Sequence, residues 1–154
     1  MLLFKYEVLS VAHEPSKKAI FRIIVSDEAE DNVTCWFNDK EFKHTISKND
    51  IERILEIIKR NHDVFSIPDH LEPNDTPHGQ EYSFYFSDGE HHNSFSGFDI
   101  LDYGRKPRKN ATLALRVSRE IKEYVLNPNN IKTMIPRGLQ NWLKYRHPSN
   151  TIKI

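Results

Sequence analysis

Residues 82–95 read Tyr82-Ser83-Phe84-Tyr85-Phe86-Ser87-Asp88-Gly89-Glu90-His91-His92-Asn93-Ser94-Phe95, and this stretch decides the fold class. Tyr82, Phe84 and Phe86 alternate with Ser83 and Tyr85, the period-two pattern of a strand with one buried face. Asp88-Gly89 is a dipeptide favoured in two-residue turns between antiparallel strands. With those two residues as the loop, Ser87 faces Glu90, Phe86 faces His91, Tyr85 faces His92 and Tyr82 faces Phe95. His91 is then expected on the aromatic face beside Phe86, and His92 on the opposite face against Tyr85.

Upstream of this hairpin, residues 2–12 and 18–27 are rich in Leu, Ile, Val and Phe, with a Pro15-containing turn between them. They read as two strands, the second placing Ala19, Phe21, Ile23 and Val25 on one face. Asp27-Glu28-Ala29-Glu30-Asp31-Asn32 is expected to be a solvated loop. Val33, Cys35 and Phe37 then share a face of a third strand, and Phe42, His44 and Ile46 of a fourth. Ile51, Ile54, Leu55 and Ile58 have the spacing of a helix stripe, with Asn49 or Ser47 as its cap and Lys59 and Arg60 at its C-terminal end. Residues 66–79 carry Pro68, Pro73 and Pro77 and read as a loop.

Downstream, Asn110 is expected to cap a second helix striped by Ala114, Val117, Ile121, Tyr124 and Val125. Its charges suggest i, i+4 pairs, Arg116 with Glu120 and Arg119 with Glu123. A short third helix is expected from Pro136, with Leu139, Trp142 and Leu143 on one face. Strands grouped and then covered by helices favour an α+β fold: an antiparallel sheet of about six strands built from hairpins and packed against two or three helices. No phosphate-binding glycine pattern supports a parallel Rossmann-type alternative. The 154 residues fit a single domain, with a two-part strand-strand-helix organisation over 1–65 and 80–154 joined by the Pro-rich loop 66–79.

Composition bounds the function. Nine Phe, six Tyr and two Trp supply enough apolar area to offset chain entropy, which argues against disorder. Cys35 is the one cysteine, so the chain forms no internal disulfide and suits a reducing compartment. Lys5 and Glu7 interrupt the N-terminal segment too early for a secretory signal, and no apolar run spans a bilayer. A cytoplasmic protein with no membrane partner is expected.

Charge is split along the chain. Residues 1–100 hold 10 Lys/Arg against 19 Asp/Glu, a net of −9, while residues 101–154 hold 12 against 3, a net of +9. Zero net charge is therefore a cancellation between opposed fields, paired within the fold or turned towards a partner. Arg105, Lys106, Arg108 and Lys109 precede a helix N-terminus, a setting that attracts anions. Arg137, Lys144 and Arg146 interleave with Trp142 and Tyr145, a mixture suited to phosphate contact and base stacking. Nucleic acid is thus one reading of the basic region.

Other chemistries have thinner support. His70, His78, His91 and His92 lie near Asp69, Asp75 and Asp88 in sequence, but adjacent His91 and His92 on a strand point apart and cannot easily share an ion. No metal and no cofactor are expected. Cys35 and His44 are expected almost opposite on neighbouring strands, the minimum for a thiolate–imidazolium pair, yet Cys35 shares a face with Val33 and Phe37 as a buried hydrophobe would. No nucleophile elbow is present, and catalytic residues are not assigned.

Recognition of another protein is the favoured reading. Tyr85, His92 and Tyr103 join the basic residues as candidate contact groups, since aromatics offer large area with few torsions to freeze. The organisation, small size and lack of a catalytic signature are those of small bacterial accessory proteins, including toxin-neutralising immunity proteins, an analogy of type that no diagnostic motif carries. A homodimer through an edge strand is a further partner compatible with the pattern.

Overall fold

Phe4, Tyr6 and Val8 alternate along β1 (Leu2–Ser10), which becomes an inner strand because both its edges are paired. The computed structural model describes residues 1–10, 18–37, 39–72, 80–98, 100 and 108–126. On one side β1 runs antiparallel to β2 (Lys18–Ser26), and on the other to β5 (Gln80–Ser87). Beyond β2 lie β3 (Val33–Phe37) and β4 (Lys40–His44), and beyond β5 lies β6 (His92–Phe98). The result is a six-stranded antiparallel sheet in the order β4-β3-β2-β1-β5-β6, packed with two helices, the α+β class the alternation predicts.

One face of the sheet holds the core. Phe4, Tyr6, Phe21, Ile23, Val25, Val33, Cys35, Phe84 and Phe86 are buried on it. Helix α1 (Lys48–Arg60) adds Ile51, Ile54, Ile57 and Ile58, leaving Leu55 half-buried. Ser47 rather than Asn49 caps it, its hydroxyl accepting from Asp50 N–H at 3.1 Å. Helix α2 (Lys109–Val125) adds Ala111, Ala114, Leu115, Val117, Ile121 and Val125.

Helix α2 corrects two expectations. Its N-cap is Arg108, whose extended backbone presents the carbonyl that accepts from Thr112 N–H at 2.8 Å; Asn110 is already inside the first turn. The expected Arg116–Glu120 pair is replaced by contacts to the end of α1: Arg60 donates to Glu120 at 2.7 Å, and Arg116 donates to Asn61, the C-cap of α1, at 3.1 Å. Contact across the helix pair wins because α1 and α2 lie side by side.

Turn chemistry corrects two registers. Asp88 Oδ1 accepts from Glu90 N–H at 2.9 Å and His91 N–H at 2.7 Å, and Asp88 N–H donates to the His91 carbonyl at 3.1 Å. This Asx arrangement makes 88–91 a four-residue loop, with Ser87 opposite His92, Phe86 opposite Asn93, Phe84 opposite Phe95 and Tyr82 opposite Gly97. A two-residue type I′ loop needs positive φ at both positions, and among the two only Gly89, at +95°, supplies it. His91 therefore leaves the aromatic strand face for the loop. In the β3–β4 hairpin Phe37 pairs with Lys40, so Cys35 faces Phe42 and His44 faces Val33, which separates Cys35 from His44 by one step of the ladder.

Two expected loops are partly built into the fold. Asn32, at the end of the acidic segment, is buried; its side chain accepts from Ile46 N–H at 2.8 Å and donates to the Ile46 and Glu28 carbonyls. A 3₁₀ turn, His62–Ser66, leads into the proline-containing segment, where Ile67 and Leu71 are buried. Residues 73–79 and the third helix expected from Pro136 lie outside the described residues. Among the described residues no helix is long and apolar enough to cross a membrane.

Helix α2 also buries a lysine. Lys122 is 4% exposed, with Nζ 4.3 Å from the centroid of the Tyr6 ring. Burial, reinforced by the nearby Arg119 charge, pushes its amine well below the ordinary lysine range. The unfolded chain holds that proton up to about pH 10.4 while the folded chain has already released it, so stability rises with pH across that interval. Lys122→Met is expected to be the more stable protein near neutral pH. Its advantage over the wild type should shrink on the way to pH 10, by about 1.4 kcal/mol per pH unit where the linkage is complete. Urea unfolding of both proteins at a series of pH values measures the difference; an advantage independent of pH would contradict the assignment.

Candidate functional site

Because strands alternate, the residues between the core positions form the opposite face of the sheet. On the β1–β5–β6 side they sit in cross-strand rows. Lys5 stands beside Tyr85, which stands beside Ser94; Glu7 stands beside Ser83, which stands beside Ser96. His92 and Phe98 occupy the ends of β6 on the same face. The Tyr85 and His92 rings stack diagonally, with centroids 6.3 Å apart and planes at 21°. Phe98 is 45% exposed, one of the most exposed large apolar side chains described.

These rows border a groove of ≈ 550 Å³, lined by Lys5, Asp69, Ser83, Tyr85, Ser94 and Ser96 among others. Its wall at β6 is the segment that follows the 3₁₀ turn. Ser96 N–H donates to the Asp69 carbonyl at 3.0 Å, and Leu71 N–H donates to the Ser96 carbonyl at 2.7 Å. Asn93 Nδ2 adds bonds to the Val64 and Ile67 carbonyls, both at 2.9 Å. The approach is close enough to demand glycine at 97, since a Cβ there would stand 2.6 Å from Leu71 Cβ and 2.7 Å from Ile100 Cγ2.

Further along the same face, the polar groups satisfy one another. Arg22 Nε donates to the Glu7 carboxylate, and the Arg22 guanidinium lies 6.0 Å from the centroid of Trp36. Glu7 is 7% exposed, so this pairing offsets the cost of burying its charge.

The remaining chemistry-bearing candidates separate. Burial pushes the Cys35 thiol up to about 12, which removes the thiolate at neutral pH. His44 Nε2–H donates to the Val125 carbonyl at 3.0 Å, at the C-terminal end of α2, and burial lowers its pKa against that bond. His91 stands in the hairpin loop, its ring 5.1 Å from that of His62 and 5.6 Å from that of Phe65. Burial would raise the Asp88 carboxyl, but hydrogen bonds from the loop hold it below the ordinary range. Among the described residues no three His, Cys, Asp or Glu side chains are placed to hold a metal ion.

Of the sequence candidates, the structure gathers Tyr85 and His92 on the grooved face and puts Arg108 and Lys109 at the start of α2, both exposed. Arg108 Nη1 lies 3.5 Å from Glu72 Oε2, a pair exposed on both sides. Tyr103, Arg105, Lys106, Arg137, Lys144, Arg146, Asp75 and His78 lie outside the described residues. Lys5, Asp69, Ser83, Ser94, Ser96 and Phe98 emerge only from the fold. The alternation His92-Ser94-Ser96-Phe98 carried a signal for the face of part of this set, while their cross-strand neighbours depended on the register.

No protein-family model matches the chain, and no curated protein matches it significantly.

The wall of the groove is testable through Gly97. Gly97→Ala is expected to destabilise the protein by about 1–3 kcal/mol, because the Leu71 Cβ cannot yield without moving its backbone and Ile100 would have to leave its packed rotamer. Amide exchange at Leu71 and Ser96 should accelerate more than exchange in β2 and β3. Equal protection in both proteins would show that the segment does not depend on this approach.

Proposed function

We propose that the protein acts without catalysis, as an accessory or regulatory module that binds another protein through the outer face of β1, β5 and β6. The observation that supports this reading is the one-sided construction of the sheet. Both described helices lie on the core face, while the other face presents Tyr85, His92 and Phe98 among small hydroxyl side chains and Lys5. Aromatic anchors set in a polar surround are the composition of protein-recognition surfaces, and serine adds adaptable hydrogen bonding at little entropic cost. The burial of Cys35 and the separation of Cys35 from His44 favour recognition over covalent chemistry. An immunity-like or regulator-like role belongs to this class.

A photo-crosslinking amino acid at position 85, used in extract of the source cells, tests the reading. A discrete adduct is expected there and not from the same probe at Arg53, on the exposed side of α1. Excess wild-type protein should compete it away, whereas a Tyr85→Ala, Phe98→Ser double variant should compete at least about tenfold less well, the loss of one to two hot-spot contacts. No adduct, or equal competition by both proteins, would refute the assignment. Tight binding to labelled duplex or single-stranded nucleic acid, falling steeply with salt, would instead move the function to the basic region.

A further inference from the structure

The sheet ends at two edges, and they are unlike. At β6 the edge is engaged by Asp69 and Leu71, which both bond to Ser96. At the other end, β4 pairs with β3 through Trp36 opposite Glu41, Cys35 opposite Phe42 and Thr34 opposite Lys43, and no described strand joins its free side. Lys40, Glu41 and Lys43 are exposed and Phe42 is half-buried. Phe37 and Lys40 enclose a two-residue loop, so their pair, and the Cys35 and Phe42 pair after it, exchange both backbone bonds. Alternation then aims the N–H and C=O groups of Glu41 and Lys43 outward, towards whatever strand comes next.

We propose that β4 pairs antiparallel with the β4 of a second copy about a two-fold axis at Phe42, joining two sheets into one. In this register Glu41 stands opposite the partner's Lys43, and Lys43 opposite the partner's Glu41. Each of these pairs exchanges both of its outward backbone bonds and sets opposite charges face to face. The two Phe42 rings meet on the core side, where a half-buried aromatic gains cover. An interface of this kind is self-complementary, as two-fold symmetry requires.

Charged edge strands ordinarily prevent such pairing. Here the order of the charges about Phe42 permits one register and penalises its neighbours. A slip of two residues one way sets Glu41 against the partner's Glu41, and the other way sets Lys43 against the partner's Lys43. A slip of one turns the core face of one copy onto the outer face of the other. Five residues bury little area, so the dimer belongs to the weak, concentration-dependent class.

Charge exchange tests it by sedimentation equilibrium up to about 1 mM protein, the range of weak self-association. The wild type is expected to dimerise reversibly. Glu41→Lys and Lys43→Glu should each weaken the dimer at least about tenfold, since each sets like charges opposite across the axis. An equimolar mixture of the two variants should form a heterodimer, and the double exchange should dimerise about as well as the wild type. The mixture keeps the test decisive, because a variant that had merely unfolded cannot be rescued by the other. A wild type monomeric throughout, a dimer indifferent to either exchange, or no recovery in the mixture would overturn the proposal.

Discussion

The fold depends on the pairing of β1 with β5, and that pairing turns on Tyr6. Its ring lies 5.4 Å from Phe84, 6.1 Å from Phe21 and 6.5 Å from Tyr82, with the Lys122 amine 4.3 Å from its centre. One side chain thus joins β1 to both neighbouring strands and to α2. Phe4 repeats the arrangement one step along, its ring 5.5 Å from that of Phe86. Tyr6 and Phe84 are far apart in sequence, so the loop between them closes at an entropic cost that these buried aromatic contacts must offset. Without that seam the two strand groups would each expose an edge and half a core.

Much of this architecture was legible in local pattern. Phe21, Ile23 and Val25 announce a strand face by period two, and Ile51, Ile54 and Ile58 announce a helix face by period 3.6; each pattern survives because its hydrophobic side has one place to go. What local pattern does not encode is the partner across the ladder. Asp88-Gly89 suits a tight turn, yet the Asp88 carboxylate collects the N–H groups of Glu90 and His91 and enlarges the loop. Every pair in the β5–β6 ladder then moves by two residues, which preserves the faces and changes the neighbours. Inside and outside were therefore readable where register was not.

The same distinction governs the candidate site. Tyr85 and His92 could be placed on the outer face from alternation alone. Lys5, Ser83 and Asp69 could not, because their proximity is created by the β1–β5 pairing and by the segment that braces Ser96. Lys122 shows the limit from the other side: it stands next to Ile121 on α2, and only packing decides that a lysine there turns inward onto Tyr6. The acidic-to-basic split along the chain was plain in the sequence, but much of the basic portion lies outside the described residues; of the basic candidate contact groups, charge and geometry meet only at Arg108 and Lys109.

The outer face is not uniform, and that unevenness bears on recognition. Near β2 and β3 the Glu7 carboxylate, the Arg22 guanidinium and the Trp36 ring already meet one another's requirements. A partner binding there would have to displace contacts made at short range, at a desolvation cost that new contacts seldom repay. At the hairpin end the side chains are smaller and more exposed, and Tyr85, His92 and Phe98 bring area that water does not solvate well. Covering them releases ordered water without breaking an internal ion pair. The face therefore divides into a self-satisfied centre and an adhesive end, and binding energy is most readily found at the end where the hairpin stands beside its braced edge.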